Sequence, residues 1–186
     1  LRRTRKEVAP DSEDIAFSFL EIKPKVPVDI KIPAHLSDDE VLSWVEENQN
    51  ADREDRIAVA LAKAGPLVDE IEFCLENRLY EQTVVFGWHK EPLAWMRTAL
   101  AARKVRVAVI NGETPQRERE MTMVAFREHR LDTVLLNIAT GGTAIDLSAA
   151  SHGYMLEMDW VPGNNVQAVH RLISMEKEEK VTIDVV

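Results

Sequence analysis

Residues 132–158 read DTVLLNIATGGTAIDLSAASHGYMLEM. Two short apolar runs, 132–137 and 153–158, flank a Gly-Gly turn and an amphipathic stretch over 143–149. Runs of this length between turn residues are the pattern of strands buried on both faces. Working outward, the same kind of run recurs at 83–88 (TVVFGW), 105–110 (VRVAVI) and 181–186 (VTIDVV), rich in Val and Ile. Helical spacing fills the gaps at 91–104, 115–129 and 164–176. Strands alternating with amphipathic helices build βαβ units and a mostly parallel sheet with helices on both faces. The fold class is therefore α/β, with 80–186 as one layered domain and 1–79 as a lead-in packed on it.

The lead-in has its own pattern. Residues 9–14 read as a turn, and 26–32 alternate apolar and polar as a strand between prolines. Ser37 followed by Glu40 forms a capping-box signature for a helix running to about Glu47. NQNADRED (48–55) reads as a loop. Apolar spacing over 56–79 is helical, with Gly65-Pro66 expected to break or kink it.

Composition bounds the function. With 186 residues, 45% hydrophobic and 30% charged, the chain has the balance of one globular domain. No apolar run reaches the roughly 20 residues that span a bilayer. The basic start LRRTRKEVAP lacks an apolar segment after it, so it is not a signal peptide. The missing initiator Met suggests a piece of a longer chain. Cys74 is the single cysteine, which excludes a disulfide framework and fits a small core side chain. An intracellular setting, cytoplasmic or nucleoid-associated, is expected. His89 and His170 have no partner at ligand spacing, so no metal site is expected. A net charge of −9 excludes a generally basic nucleic-acid binder but leaves room for a local phosphate grip.

In parallel sheets, ligands bind beyond the carboxyl ends of the strands. After 105–110 comes NGETPQRERE, a sharp turn with Thr114 as an N-cap and Pro115 at the first helical position. Amides at that helix start could hold a phosphate. After 132–137, Thr140-Gly141-Gly142-Thr143 would let backbone amides approach a phosphate before a short helix. After 153–158, Asp159-Trp160 and a Pro-Gly turn lead into a helix with Gln167 and Arg171 at i and i+4. Each segment alone has an ordinary structural explanation; their order and spacing carry the argument.

Taken together, these segments resemble the second RecA-like lobe of SNF2-type ATPases in helicase superfamily 2. VVFGWHKEPLAWM is similar to that family's motif IV, and VINGETPQRERE to the segment after it. NIATGGTAIDLSAAS resembles motif V, and MLEMDWVPGNNVQAVHR resembles the opening of motif VI. LRRTRKEV is similar to the segment joining the lobes. The likeness is to the annealing-helicase branch and to phage or bacterial relatives.

The resemblance implies that Arg171 is an arginine finger reaching a γ-phosphate held by another lobe, with Gln167 ordering the closed cleft. Asp146 and Gly142 would lie beside the nucleotide. Gly112, Glu113, Thr114, Thr140 and Gly141 would contact the DNA backbone, and Trp160 would approach one strand. ATP and Mg2+ would be held mainly by a P-loop lobe, in the same or a separate chain, and the other partner would be double-stranded DNA. Two features depart from the family. Ser174 stands where a second arginine is usual, and Ala139 and Ala144 replace the usual Arg and Gly of motif V. No G-x-x-x-x-G-K-[ST] occurs, so the resemblance implies half of an ATP site and a chain inactive alone. The alternative is a non-catalytic DNA- or protein-docking module. A small-molecule enzyme of doubly wound type would need a catalytic dyad that the sequence does not offer.

Overall fold

The computed structural model describes residues 15–23, 25, 28, 31, 35–140, 145–174 and 180–186. Among the described residues six strands form a single sheet: β1 (Ile15–Phe19), β2 (Thr83–Gly87), β3 (Val107–Ile110), β4 (Thr133–Asn137), β5 (His152–Met155) and β6 (Val181–Val185). Their order is β1-β6-β5-β2-β4-β3, and every neighbouring pair is parallel. The helices are α1 (Asp38–Glu47), α2 (Gln49–Glu76), α3 (Lys90–Ala102), α4 (Gln116–Arg127) and α5 (Pro162–Val169). A 3-10 turn, His170–Leu172, follows α5 directly.

The central strands are apolar throughout because both faces of the sheet are covered. Val84 and Phe86 of β2 pack with Val134 and Leu136 of β4, Phe126 of α4 and Leu172 on one face. The intervening Val85 and Leu135 pack on the other face with Leu67, Val68 and Ile71 of α2 and Met96 and Leu100 of α3. The two-residue period of a strand thus feeds two cores at once.

Several sequence expectations hold, and others are corrected. Ser37 and Glu40 do form a capping box, with the Glu40 carboxylate accepting from the Ser37 amide at 2.8 Å. The expected loop at 48–55 is instead the start of α2, which continues for 28 residues through Gly65 and Pro66. Packing accounts for this. Ala64, Leu67, Val68 and Ile71 are all fully buried around the proline, and tertiary burial outweighs the cost of about 3 kcal/mol for an interior proline. The strand expected over 26–32 falls largely outside the described residues, and those described there, Val28 and Lys31, are not in a strand. The first strand lies earlier, at Ile15–Phe19, against β6. Residues 145–150 are not helical; Ile145 and Leu147 are buried as single anchors, which explains their apolar spacing. The helix expected over 164–176 starts at Pro162 and ends at Val169.

At the amino-terminal edge of the sheet, three helices end alike. Arg78, Lys104 and His129 have φ of 55, 64 and 55°. Each follows a helix, and the next amide bonds back five residues: Leu79 to Cys74, Val105 to Leu100 and Arg130 to Ala125. These are Schellman closures with a basic residue at the left-handed position, where charge complements the negative helix end. Nearby, the His152 ring stacks on Tyr80 at 4.6 Å. Its Nε2 lies 2.9 Å from Asp184 Oδ2 and its Nδ1 lies 3.2 Å from Thr83 Oγ1. Burial pushes the His152 pKa down, with Asp184 opposing.

Candidate functional site

The loops beyond the carboxyl ends of β2, β3, β4 and β5 carry the residues of interest. β2 lies between β4 and β5, with Phe86 opposite both Leu136 and Met155. The segments that follow these strands therefore emerge side by side.

After β3, Asn111 organises the turn. Its Oδ1 accepts from the amides of Glu113 and Thr114 at 2.9 and 3.2 Å, and its own amide donates to Thr114 Oγ1 at 3.0 Å. Two of the amides expected to face a phosphate are thus already bonded. The helix begins at Gln116, with Pro115 rather than Thr114 as its cap residue. Arg119 holds the turn from behind, its guanidinium donating to the carbonyls of Thr114, Asn111 and Gly112 at 2.7 to 3.1 Å. Gly112 is exposed, and a Cβ there would meet nothing within 4 Å. Glu113 is also exposed and pairs with Lys90.

After β4, Asn137 and Thr140 are 5% and 3% exposed. Thr140 is therefore inside the lobe, with its Oγ1 buried and without a partner among the described residues. Gly141 and Gly142 lie outside the described residues. Asp146 is exposed, 3.5 Å from Arg127.

After β5, Asp159 ties the start of α5. Its carboxylate accepts from the Val161 amide and from Asn164 Nδ2, while Asn165 bonds both its amide and its carbonyl. This network presents Trp160 outward, 72% exposed, with the Arg56 guanidinium 5.1 Å from its ring centroid. Arg56, Trp160, Met158 and Val59 line a cleft of about 350 Å³ between α2 and the β5 loop.

Gln167 is exposed on α5, whereas Arg171 belongs to the 3-10 turn and is half-buried. The two do not share one α-helical face. Arg171 Nη2 donates to the Thr140 carbonyl at 2.9 Å, and its Nη1 is buried with no partner among the described residues. Burial presses the Arg171 pKa downward. The Arg171 carbonyl in turn accepts from the Leu147 amide at 2.9 Å. Arg171 and Thr140 are thus brought together, while Trp160 and the Gly112–Thr114 turn form separate exposed points along the same edge.

Sequence reasoning missed Glu157. Its side chain is 7% exposed, and Oε2 accepts the Trp88 and His89 amides at 3.0 and 2.9 Å. Oε1 lies 2.6 Å from His89 Nδ1. The available signal was a carboxylate inside the apolar run GYMLEM, a placement that is costly without bonding partners. A hydroxyl, imidazole and carboxylate also line up at Thr83, His152 and Asp184. Thr83 is fully buried, so this row is internal bracing rather than a nucleophile facing a substrate.

Residues 63–176 match the model of the helicase conserved C-terminal domain. The chain is 31% identical over 113 residues to the DNA annealing helicase and endonuclease ZRANB3 of Bos taurus, covering 60% of this chain and 10% of that protein. It is 24% identical over 129 residues to the DNA repair protein RAD5 of Eremothecium gossypii, covering 66% and 12%. The chain thus spans about a tenth of the length of these curated relatives, both eukaryotic. The C-terminal part of the Fun30 ATPase domain superposes with a TM-score of 0.61 at 15% identity, covering 82% of this chain and 50% of that one. The C-terminal domain of Dbp5 from S. cerevisiae gives 0.51 at 18% identity, covering 66% and 70%.

Proposed function

The chain belongs to the helicase conserved C-terminal domain family, with the RecA-like α/β fold of an SNF2-type lobe, and from that premise we propose that it completes a DNA-stimulated ATPase. In this reading Arg171 supplies the guanidinium side of an ATP cleft whose P-loop side belongs to a partner lobe. Loops along the same edge contribute to a grip on duplex DNA. The carrying observation is Arg171 itself: one guanidinium nitrogen is engaged by Thr140, and the other has no acceptor among the described residues. That nitrogen is buried, so a phosphate oxygen would meet it only once a partner lobe shifts the turn; on that condition the residues present fit ATP on this side of a cleft.

The nucleotide, with Mg2+ held mainly by the other lobe, supplies a phosphoryl group on which charge shifts during transfer. Arg171 would offer a fixed cationic fork, the arrangement that stabilises such charge at small reorganisation cost. Thr140 would orient that fork. Exposed Trp160, flanked by Arg56, offers an aromatic and cationic surface for a backbone or base. Gln167, exposed on α5, stands free to meet a second lobe. Asp146, Gly112 and Glu113 are also at the surface, as contacts to nucleotide or DNA require.

The test is ATP hydrolysis, with and without duplex DNA, by this chain together with a P-loop lobe. DNA-stimulated turnover should appear only with both lobes, and Arg171→Ala should lower it by about 10³-fold or more. Turnover by this chain alone, or turnover unaffected by Arg171→Ala, would refute the reading. Ser174, half-buried in the place of a second arginine, favours a second reading, a docking module without catalysis. Ser174→Arg separates the two: it should raise turnover of a working pair and do nothing in a docking module.

A further inference from the structure

We propose that Glu157 is a positioning residue for Arg171, acting through a continuous run of hydrogen bonds along the carboxyl edge of the sheet. Its effect on turnover rests on the reading of Arg171 given above; its effect on Arg171 itself does not. The run has four bonds. Arg171 Nη2 donates to the Thr140 carbonyl at 2.9 Å, and the Thr140 amide donates to the Asn137 carbonyl at 3.0 Å. Asn137 Nδ2 donates to the Trp88 carbonyl at 2.5 Å, and the His89 amide donates to Glu157 Oε2 at 2.9 Å. All four bonds point the same way, starting at a guanidinium and ending at a carboxylate. The Trp88 carbonyl and His89 amide belong to one conjugated peptide group, so their two bonds polarise each other, while at Thr140 and Asn137 the run passes through sp3 carbons and the link is one of position.

The geometry makes Glu157 more than a cap for α3. The peptide group between Trp88 and His89 is held at both ends, its carbonyl by Asn137 and its N–H by Glu157. The imidazole of His89 takes the remaining carboxylate oxygen, so the carboxylate cannot swing away without unpairing three donors. Thr140, Asn137 and His89 are 3, 5 and 7% exposed, so water cannot readily replace a broken link. A shift of the 88–89 peptide therefore reaches Asn137, then Thr140, then the guanidinium.

The experiment uses Glu157→Ala and Asn137→Ala, which cut the same run at its end and at its middle. In the two-lobe assembly, each should lower kcat for DNA-stimulated ATP hydrolysis about 10- to 100-fold, with KM within about threefold. In an Arg171→Ala background, the same substitutions should cause no further loss beyond about threefold. Equal losses with and without Arg171 would overturn the proposal, because they would reveal general destabilisation. If the assembly shows no turnover at all, the functional reading fails. The positioning claim is then decided on this chain alone, by NMR hydrogen exchange at the Arg171 guanidinium. Faster exchange in both variants supports the link, and unchanged exchange in folded variants refutes it.

Discussion

Gly153→Ala gives a stringent check on how the sheet is packed beneath the Arg171 turn. Gly153 lies in β5, between β2 and β6. A Cβ built there would sit 3.0 Å from Ile183 Cδ1, 3.2 Å from the Val84 carbonyl oxygen and 3.4 Å from Leu172 Cδ2. The Ile183 methyl can rotate, but the Val84 carbonyl belongs to the central strand and cannot yield without moving it. Overpacking of this kind costs about 1–3 kcal/mol. The stiffer unfolded chain of an alanine variant offsets about 0.4–1 kcal/mol of that. The expected net loss is about 1–2 kcal/mol, which lowers Tm by about 2–8 °C for a domain of this size. Leu172 adjoins Arg171, so the strain should also be visible as altered amide shifts across 170–173. Thermal unfolding followed by circular dichroism measures the first effect and NMR the second. A Tm at or above that of the parent would refute the packing described for β5.

Two other predictions concern the opposite edge. His152 has its pKa lowered chiefly by burial, so the unfolded chain binds its proton more readily. The stability linked to this group is complete above the unfolded value of about 6.5 and falls as pH drops through the lower folded value. Tm should therefore decline as pH falls below about 6.5, and His152→Gln should flatten that decline. An equally steep slope in the variant would count against it. Lys104 occupies a left-handed position at φ 64°. Lys104→Gly should relieve about 1 kcal/mol of backbone cost, less a few tenths for the lost charge at the helix end, and raise Tm slightly. A lower Tm would indicate that the lysine's charge outweighs its strain.

The parts of the fold that were legible share one physical property: local pattern and burial agree. Val84-Val85-Phe86 and Val134-Leu135-Leu136 feed both cores, so their sequence is apolar without interruption and reads directly as buried strand. Ser37 and Glu40 bond each other three residues apart, within reach of any local reading. By contrast, β1 exists because of β6: Ser18 bonds Asp184 across 166 residues, and nothing near Ile15–Phe19 announces that pairing. The polar start of α2 was equally silent, since its helix is held by the buried residues from Ala60 onward. At the site, Arg171 and Trp160 stood out through the spacing of the segment that holds them. Glu157 and Arg119 did not, because their importance lies in backbone groups they hold elsewhere in space.

The three Schellman closures have a consequence for how the lobe comes together. Each joins residues five apart and needs no distant partner, so the ends of α2, α3 and α4 can form while the rest of the chain is still searching. The opposite edge is assembled from bonds spanning 31 residues between Arg171 and Thr140 and 68 between Glu157 and His89. Such long closures carry a loop-entropy cost that is met only once the sheet exists. The lobe is therefore expected to mature from its amino-terminal edge toward its carboxyl edge, with the Arg171 turn among the last pieces to lock and the first to open. Amide exchange should show this gradient as slow exchange at Val105 and rapid exchange at Thr140.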